Sequence, residues 1–525
     1  MPKKIVIVGG GSAGWMTAST FIKCFPSWDI TLIESPDIPI AGVGESTLQS
    51  INTWMRLIGI KDKDFMRDTD ATYKLSIKFE NFYKNNDGGF HYPFSEPDTS
   101  GTRFGLNDWH IKNIYSKDVP TSDYADSMFS VMSLINENKF DKNTDRKLPN
   151  YTYGKNSSFH FDAVKFGLWL RDNLCIPNGV KHQLGTVDKV THNEDGIDEL
   201  ILDTGDKVKA DLFVDCTGFR SRLLNDEMKV PFVSYTDYLP NNKAWAVQVP
   251  YINKQEQLKP YTSCTALGNG WVWDIPLWSR IGKGYVYSDK YISSEDALVE
   301  FKEHLATLGY TDTSKLKFKD ITMRTGMHEK MWEKNVVAVG LSTGFIEPLE
   351  SNGLFVTHEY LIELMRILQR EEKDDQIVAT EFDKGVYNLR CTKMFTEFTH
   401  FVILHYALSA RRDTQYWKDL TKKSYDWELL NPNITVSSGM RYLALDRMSA
   451  NEFQPSGGPH CIAAGLNWHP IDRITEKLDF DQLHKAEVDE IIKNLEERKQ
   501  SWKDAVKNCQ SLHDYLANTI YKNDA

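Results

Sequence analysis

The sequence lacks the features that mark secreted, membrane-spanning and nucleic-acid-binding proteins. Its seven cysteines are odd in number, widely scattered and without CxxC spacing, which predicts reduced intracellular thiols and no metal site. No apolar run approaches the roughly 18 residues that a membrane span needs, and residues 5–8 are too short for the core of a signal peptide. The 73 acidic against 62 basic residues disfavour a nucleic-acid or anionic-membrane partner. We therefore expect a soluble, cytoplasmic protein that binds neither nucleic acid nor membrane.

Three short β-branched runs are present instead, at residues 4–8, 211–215 and 335–339, and each leads into a glycine-containing turn. Such runs are typical of buried parallel strands that deliver their turns to one edge of a sheet. Because long segments separate them, one α/β domain must be assembled from distant parts of the chain. The chain is 525 residues long, so we expect more than one module.

The first run opens a dinucleotide-binding fingerprint. Gly9, Gly11 and Gly14 follow the strand, a helix is predicted over 15–23, and Glu34 ends the next strand, 20 residues after Gly14. The glycines allow backbone N–H groups to approach a pyrophosphate, and Glu34 can accept a hydrogen bond from a ribose hydroxyl. A second glycine-rich loop over 41–47 and the late Gly340 favour FAD over NAD.

The predicted cofactor-binding residues come from these turns and from one later strand. They are Gly9, Gly11, Ser12, Ala13, Gly14, Glu34, Gly42, Val43, Gly44, Glu45, Val187, Gly340 and Leu341. No second GxGxxG occurs. We therefore expect reduced FAD to come from a separate NAD(P)H:flavin reductase.

The remaining patterns divide the chain at about residue 355. Alternating aromatics such as Trp271 with Trp273 predict antiparallel strands, and a polar, loop-rich insertion is expected at about 84–156. From 356 to 525 the apolar period becomes helical, as at residues 361–368, 488–495 and 502–509. The predicted fold is a glutathione-reductase-type, Rossmann-like FAD domain with an antiparallel substrate sheet (1–355), followed by a mostly helical module that covers the substrate site (356–525).

Several motifs together resemble the flavin-dependent tryptophan halogenase family. Residues 271–276 read Trp-Val-Trp-Asp-Ile-Pro and match its WxWxIP signature. Residues 42–47 resemble its flavin-contacting strap, 72–79 the segment around its catalytic lysine, and 344–351 the segment that ends in its catalytic glutamate. The matches occur in the family's order over about residues 5–420, four fifths of the chain.

The resemblance implies a two-component enzyme that uses reduced FAD, O2 and chloride, bromide or iodide to make hypohalous acid. Lys74 would hold this oxidant by a hydrogen bond or as a haloamine, and Glu350 would polarise it or stabilise the cationic ring. Both roles suit these residue types, because a buried ammonium can direct a diffusible electrophile and a carboxylate can balance developing positive charge. The substrate would be an electron-rich indole, pyrrole or phenol.

Two further sets of residues follow from the resemblance. The implied halide-binding residues are Ser351, Asn352 and Gly353. The implied channel and substrate residues are Trp271, Trp273, Ile275, Pro276, His91 and Phe94.

The sequence also departs from the family pattern. Asn352 stands where the family usually has threonine, residues 90–94 carry one residue more than its His-Pro-Phe element, and residues 442–453 lack its tyrosine pair. These departures leave free tryptophan open as the substrate. An aromatic hydroxylase of the same flavin fold and a non-catalytic flavin-binding regulator are the alternatives, and the residues leave a homo-oligomer open.

Overall fold

The computed structural model describes residues 3–38, 44–143, 147–371, 379–430, 458–468 and 483–522. Its contacts divide the chain into two units, each assembled from three separate segments. The first unit consists of Met1–Ala71, Phe159–Thr236 and Thr322–Thr396, and the second of Thr72–Ser158, Asp237–Ile321 and Glu397–Ala525. The predicted single boundary at residue 355 differs from this division, because each unit draws its elements from distant parts of the chain.

A six-stranded sheet organises the first unit. In spatial order its strands are Trp332–Glu333, Val336–Ala338, Leu212–Asp215, Lys4–Val8, Asp29–Glu34 and Lys181–Leu184. All neighbours are parallel except the edge strand Trp332–Glu333, which is antiparallel. The three glycine-ended strands predicted from the sequence therefore lie side by side, and the Rossmann-like α/β fold class is confirmed.

The first unit adds helices and short strand pairs to this sheet. Its helices are Ser12–Cys24, Ile51–Ile58, Asp62–Phe65, Ala163–Leu170, Gly353–Glu371 and the beginning of Glu381–Ala407. Two small sheets contain Val187–Asn193, Gly196–Leu202 and Lys207–Val208, and Phe232–Ser234, Gly326–His328 and Gly344–Phe345. Gly44–Ser46 pairs antiparallel with residues 160–162 of the strand Ser158–Asp162.

The second unit contains a seven-stranded sheet. In spatial order its strands are Lys319–Thr322, Lys243–Val249, Ile281–Tyr287, Gly270–Pro276, Tyr261–Ala266, Ser76–Glu80 and Gly89–Pro93. Pairing is antiparallel from Lys243–Val249 to Tyr261–Ala266, as predicted, and parallel between Tyr261–Ala266 and Ser76–Glu80. The helix Ser294–Thr307, capped by the Ser293 hydroxyl, buries Phe301 and Leu305 against Tyr285 of this sheet.

The segment 84–156 is polar in composition, and most of its described residues lie in turns and loops. Besides Gly89–Pro93 it contains the helices Asn107–Tyr115, Asp123–Met128, Met132–Asn136 and Tyr153–Asn156. Trp109, Met128 and Leu134 are buried there. These helices are too short for an apolar period to appear in the sequence.

Helices dominate the described residues after 355, as predicted. Beyond Gly353–Glu371 and Glu381–Ala407 they are Gln415–Leu430, Gly458–Gly465, Lys485–Ala505 and Leu512–Thr519. All seven cysteines are free thiols. Within the described ranges, no helix is both long and apolar enough to cross a membrane. That the helical module covers the substrate site stays a prediction.

Candidate functional site

The glycine turn of the first unit is shaped by close backbone approaches. Gly9 has φ +118°, and a Cβ there would lie 2.3 Å from the Cys216 carbonyl oxygen. A Cβ on Gly14 would lie 1.9 Å from the Gly9 carbonyl oxygen. Gly11 is the N-cap of Ser12–Cys24, and apart from its chain neighbours no atom of the described residues lies within 4 Å of its Cβ position. Gly9 and Gly14 are therefore packed closely against the backbone, while space remains in front of the helix N-terminus at Gly11. This arrangement fits the pyrophosphate of FAD.

Glu34 is held against this turn at the predicted ribose position. A Cβ on Gly10 would lie 2.2 Å from Glu34 Cδ, and Glu34 Oε2 lies 2.8 Å from His182 Nε2. The His182 ring also meets Trp15 edge to face, with centroids 5.1 Å apart. Sequence reasoning missed His182, because its proximity to Glu34 arises from parallel pairing of strands 148 residues apart.

The turns that follow the strands Leu212–Asp215 and Val336–Ala338 both contact the helix Ser12–Cys24. Asp215 is fully buried, and its carboxylate accepts hydrogen bonds from the N–H groups of Thr217, Leu223 and Leu224. Gly340 has φ +73°, and a Cβ there would lie 2.7 Å from the Ala13 side chain. The structure thus brings the predicted Gly9, Ala13 and Gly340 together, with Leu341 following in the same turn.

The remaining predicted cofactor residues have different surroundings. Val187 pairs with Leu202 and packs into the apolar core that contains Val8 and Ile33. Glu45 is partly buried opposite Phe161 in the short strand Gly44–Ser46. Gly42 and Val43 lie outside the described residues, as do residues 442–453.

A buried turn contains the predicted halide residues. Glu350 is fully buried at the end of the short helix Pro348–Glu350, and Ser351 has a left-handed backbone with φ +58°. The Ser351 N–H donates to the Pro348 carbonyl at 3.0 Å, and its hydroxyl donates to Ser46 Oγ at 3.1 Å. Asn352 Nδ2 donates to the Glu347 carbonyl at 2.8 Å. The helix Gly353–Glu371 begins directly after this turn, so the predicted halide residues lie at its N-terminus.

Lys74 lies in the second unit, in the strand Thr72–Lys74. Its side chain is fully buried, and its Nζ lies 4.9 Å from the centroid of the Phe94 ring. The Thr72 hydroxyl donates to the Pro276 carbonyl at 2.6 Å, which ties this strand to the end of the WxWxIP motif. The structure therefore brings together Lys74, Phe94 and Pro276, three of the residues that the resemblance implied.

The two tryptophans of the motif lie on one face of the strand Gly270–Pro276. Their ring centroids are 6.3 Å apart, and both side chains are buried. Trp273 pairs with Gly284, where a Cβ would lie 2.0 Å from the indole Cζ2. Only a glycine at 284 leaves room for the Trp273 ring. Sequence reasoning missed Gly284 because Trp273, which it faces, lies on another strand.

His91 does not lie beside Phe94, because side chains alternate between the two faces of the strand Gly89–Pro93. It lies opposite Lys78, its Nδ1 lies 3.0 Å from the Ser76 hydroxyl, and its ring meets Tyr261 edge to face. Tyr92, on the other face, has its ring centroid 6.2 Å from that of Phe94. Burial, together with the charge of Lys78, lowers the pKa of His91 to about 3, so this imidazole is neutral near pH 7.

A parallel sheet with glycine turns that fit FAD, and an antiparallel sheet with a buried lysine beside a WxWxIP strand, define an FAD-dependent halogenase fold. A family model for tryptophan halogenases matches residues 4–448, and the chain belongs to this family. It is 36% identical to tryptophan 6-halogenase SttH of Streptomyces toxytricini over 439 residues, 80% of each chain. It is 30% identical to tryptophan 7-halogenase RebH of Lentzea aerocolonigenes over 98% of each chain. The solved apo structure of VirX1 has a TM-score of 0.89 at 36% identity and covers 99% of this chain and 100% of its own.

The protein is accordingly an enzyme, a flavin-dependent halogenase that uses FAD, O2 and halide to halogenate an electron-rich aromatic compound. The family resemblance predicted from the motifs is confirmed. The hydroxylase and the non-catalytic regulator are not favoured by these similarities.

Proposed function

We propose that the enzyme uses Lys74 and Glu350 to direct hypohalous acid to the carbon of an indole, pyrrole or phenol ring. The observation that supports this most is the complete burial of both side chains. Burying an ionisable group costs free energy, which a role in stability alone rarely justifies. Both residues also stand in segments that resemble the family's catalytic segments.

The chemistry assigns each residue a separate task. When bound, reduced FAD supplies with O2 the oxidising equivalents that convert halide into hypohalous acid. The Lys74 ammonium donates a hydrogen bond to the oxygen of this acid, or its amine takes the halogen as a haloamine. The carbon–halogen bond forms as the halogen–oxygen or halogen–nitrogen bond breaks, and the ring loses its proton. Glu350 stabilises the positive charge that the ring carries in between.

We assign halide binding to the N–H groups of Asn352 and Gly353. The Ser351 N–H is used within its own turn, where it donates to Pro348. Backbone N–H groups at a helix N-terminus favour an anion, and Gly353 is the first residue of such a helix.

The aromatic wall is assigned to Trp271, Trp273 and Phe94, with Ile275 and Pro276 behind them. These side chains would separate substrate from flavin, so that the ring meets hypohalous acid and is not hydroxylated. The contacts of His91 with Ser76 and Tyr261 support a structural role for that residue.

Members of this family need a separate flavin reductase and an aromatic substrate. We propose that this chain receives FADH2 from an NAD(P)H-dependent reductase in the cytoplasm, because it has a single dinucleotide fingerprint. SttH and RebH are named for tryptophan. An indole is therefore the first substrate class to test, with free tryptophan as one member of the panel.

The test supplies the purified enzyme with chemically reduced FAD, O2 and bromide over a panel of indoles, pyrroles and phenols, with product mass as the readout. A product in which bromine replaces hydrogen supports the proposal, whereas added oxygen or no product contradicts it. Glu350→Gln should slow bromination by about 10²-fold, and Glu359→Gln, a partly buried residue nine positions later, is the matched control. Turnover with NADPH alone would refute the need for a reductase.

A further inference from the structure

The carboxylate of Glu45 lies beside the proposed halide turn. A methyl group built on Gly353 would lie 3.7 Å from Glu45 Oε2, within van der Waals contact. The next residue along the strand, Ser46, accepts the hydrogen bond from the Ser351 hydroxyl at 3.1 Å. The strand Gly44–Ser46 and the turn 351–353 are thus joined at two adjacent positions.

Several acidic side chains stand on the elements around Glu45 and this turn. Asp162 lies on the paired strand, and Glu347 and Glu350 are buried in the turn before Gly353. Other titratable groups on these elements are His160 on the paired strand and, in the first two turns of the helix that begins at Gly353, His358 and Glu359. Lys165 follows Asp162 at the start of the next helix, where its N–H donates to the Asp162 carboxylate at 3.0 Å. An ionised Glu45 would therefore repel a halide, and an uncharged Glu45 could donate a hydrogen bond to it.

We propose that Glu45 is a halide-linked proton site: the enzyme binds halide with Glu45 protonated, and ionisation of Glu45 releases the halide. The inference rests on the proposed halide role of residues 351–353. Formation of hypohalous acid from a halide anion also consumes one proton, and a protonated carboxyl beside the halide is placed to supply it.

The protonation state is accessible near neutral pH. Burial, together with the charge of Asp162, raises the pKa of Glu45 from 4.5 to about 7. Because halide binding favours the protonated form, halide affinity should be highest below pH 7 and fall as the pH rises through 7. In the limit of full coupling, the fall reaches about tenfold per pH unit.

The experiment measures bromide dissociation constants of the FAD-loaded enzyme by calorimetry between pH 5.5 and 8.5, in two buffers of different ionisation enthalpy. Wild type should take up close to one proton per bromide at pH 8 and lose affinity about tenfold or more across this range. Glu45→Gln should bind bromide with a nearly constant affinity and without proton uptake. A wild-type affinity that is flat, or a Glu45→Gln profile that matches wild type, would overturn the inference.

Two further variants keep the test decisive. Asp162→Asn retains a side chain that can cap the helix Ala163–Leu170, removes a like charge, and should move the midpoint of bromide affinity to lower pH. Gly353→Pro deletes one proposed halide donor at a helix position that tolerates proline. If Gly353→Pro leaves bromide affinity unchanged, the halide turn itself is wrong. If it weakens bromide while Glu45→Gln keeps the wild-type pH profile, only the role of Glu45 is wrong.

Discussion

The candidate cofactor turns of the first unit and the surroundings of Lys74 in the second are shaped by different parts of the chain: backbone in one, side chains in the other. In the first, the backbone shapes the site, because added Cβ atoms at Gly9, Gly14 and Gly340 would meet protein atoms at 1.9–2.7 Å. In the second, side chains define it, as with Lys74 beside the ring of Phe94. The contrast fits the proposed tasks: a pyrophosphate needs N–H groups and open space, whereas an electrophile needs a directed donor. The glycine turns of the first unit should therefore not tolerate an added side chain, and the surroundings of Lys74 in the second should not tolerate the loss of one.

The largest effect is expected from Lys74→Ala in the second unit. Halogenation should fall by about 10³-fold or more, because the substitution removes the ammonium that is proposed to hold the oxidant. FAD affinity should stay unchanged, since the glycine turns belong to the first unit. Product formation by mass spectrometry and FAD titration check both statements. Lys78→Ala, four residues on and partly exposed in an ion pair with Glu80, is the control and should retain activity.

A second large effect is expected from Asp123→Asn, which removes a buried charge from the second unit. The Asp123 carboxylate lies 2.8 Å from Lys112 Nζ and 2.6 Å from Lys499 Nζ. Loss of one partner from such a pair costs about 3 kcal/mol of unfolding free energy.

The pH dependence of this loss has a definite sign. Burial opposes ionisation, but the charges and hydrogen bonds of Lys499 and Lys112 prevail and lower the pKa of Asp123. Its stabilising contribution is therefore present above pH 3.8, its ordinary pKa, and is lost as the pH falls through the lowered value. Urea denaturation of both proteins at pH 7 and pH 3 checks this, and an equal difference at the two pH values would contradict it.

Gly14→Ala adds a methyl group to the glycine turn of the first unit and tests whether the turn tolerates it. Its new Cβ would lie 1.9 Å from the Gly9 carbonyl oxygen, so the helix must move away from the strand, at a cost of about 2 kcal/mol. Thermal unfolding and FAD titration should both show the loss. Gly11→Ala is the matched variant, because within the described ranges its Cβ would have no neighbour inside 4 Å besides the residues next to it in the chain. It should leave the melting temperature of the FAD-free protein unchanged and weaken FAD binding alone. Equal melting temperatures for the two variants would contradict the conclusion that close backbone contacts shape this turn.

The same contrast explains what could be predicted from the sequence. The glycine turns were predictable because a strand, three glycines, a helix and an acid are local in the chain and have fixed spacing. Lys74 and Trp273 were found only through resemblance to a family, since a buried lysine has no local signature. His182 and Gly284 could not be found, because their contacts with Glu34 and Trp273 arise from strand pairing across the chain. The helices within 84–156 were missed because each is too short to display a period.

The smallest effect is expected at Asn352, a residue of the first unit whose side chain holds a turn of the backbone. The left-handed residue of this turn is Ser351, and Asn352 donates from Nδ2 to the Glu347 carbonyl at 2.8 Å. Threonine has a shorter side chain and no amide, so Asn352→Thr should remove this hydrogen bond and loosen the turn that carries the proposed halide donors. We expect a change of about two- to tenfold in the ratio of kcat/KM for bromide to that for chloride, equivalent to about 0.4–1.4 kcal/mol. Measuring kcat/KM for chloride, bromide and iodide in both proteins decides the matter. Unchanged ratios would mean that the hydrogen bond from Asn352 holds the turn without setting the halide preference.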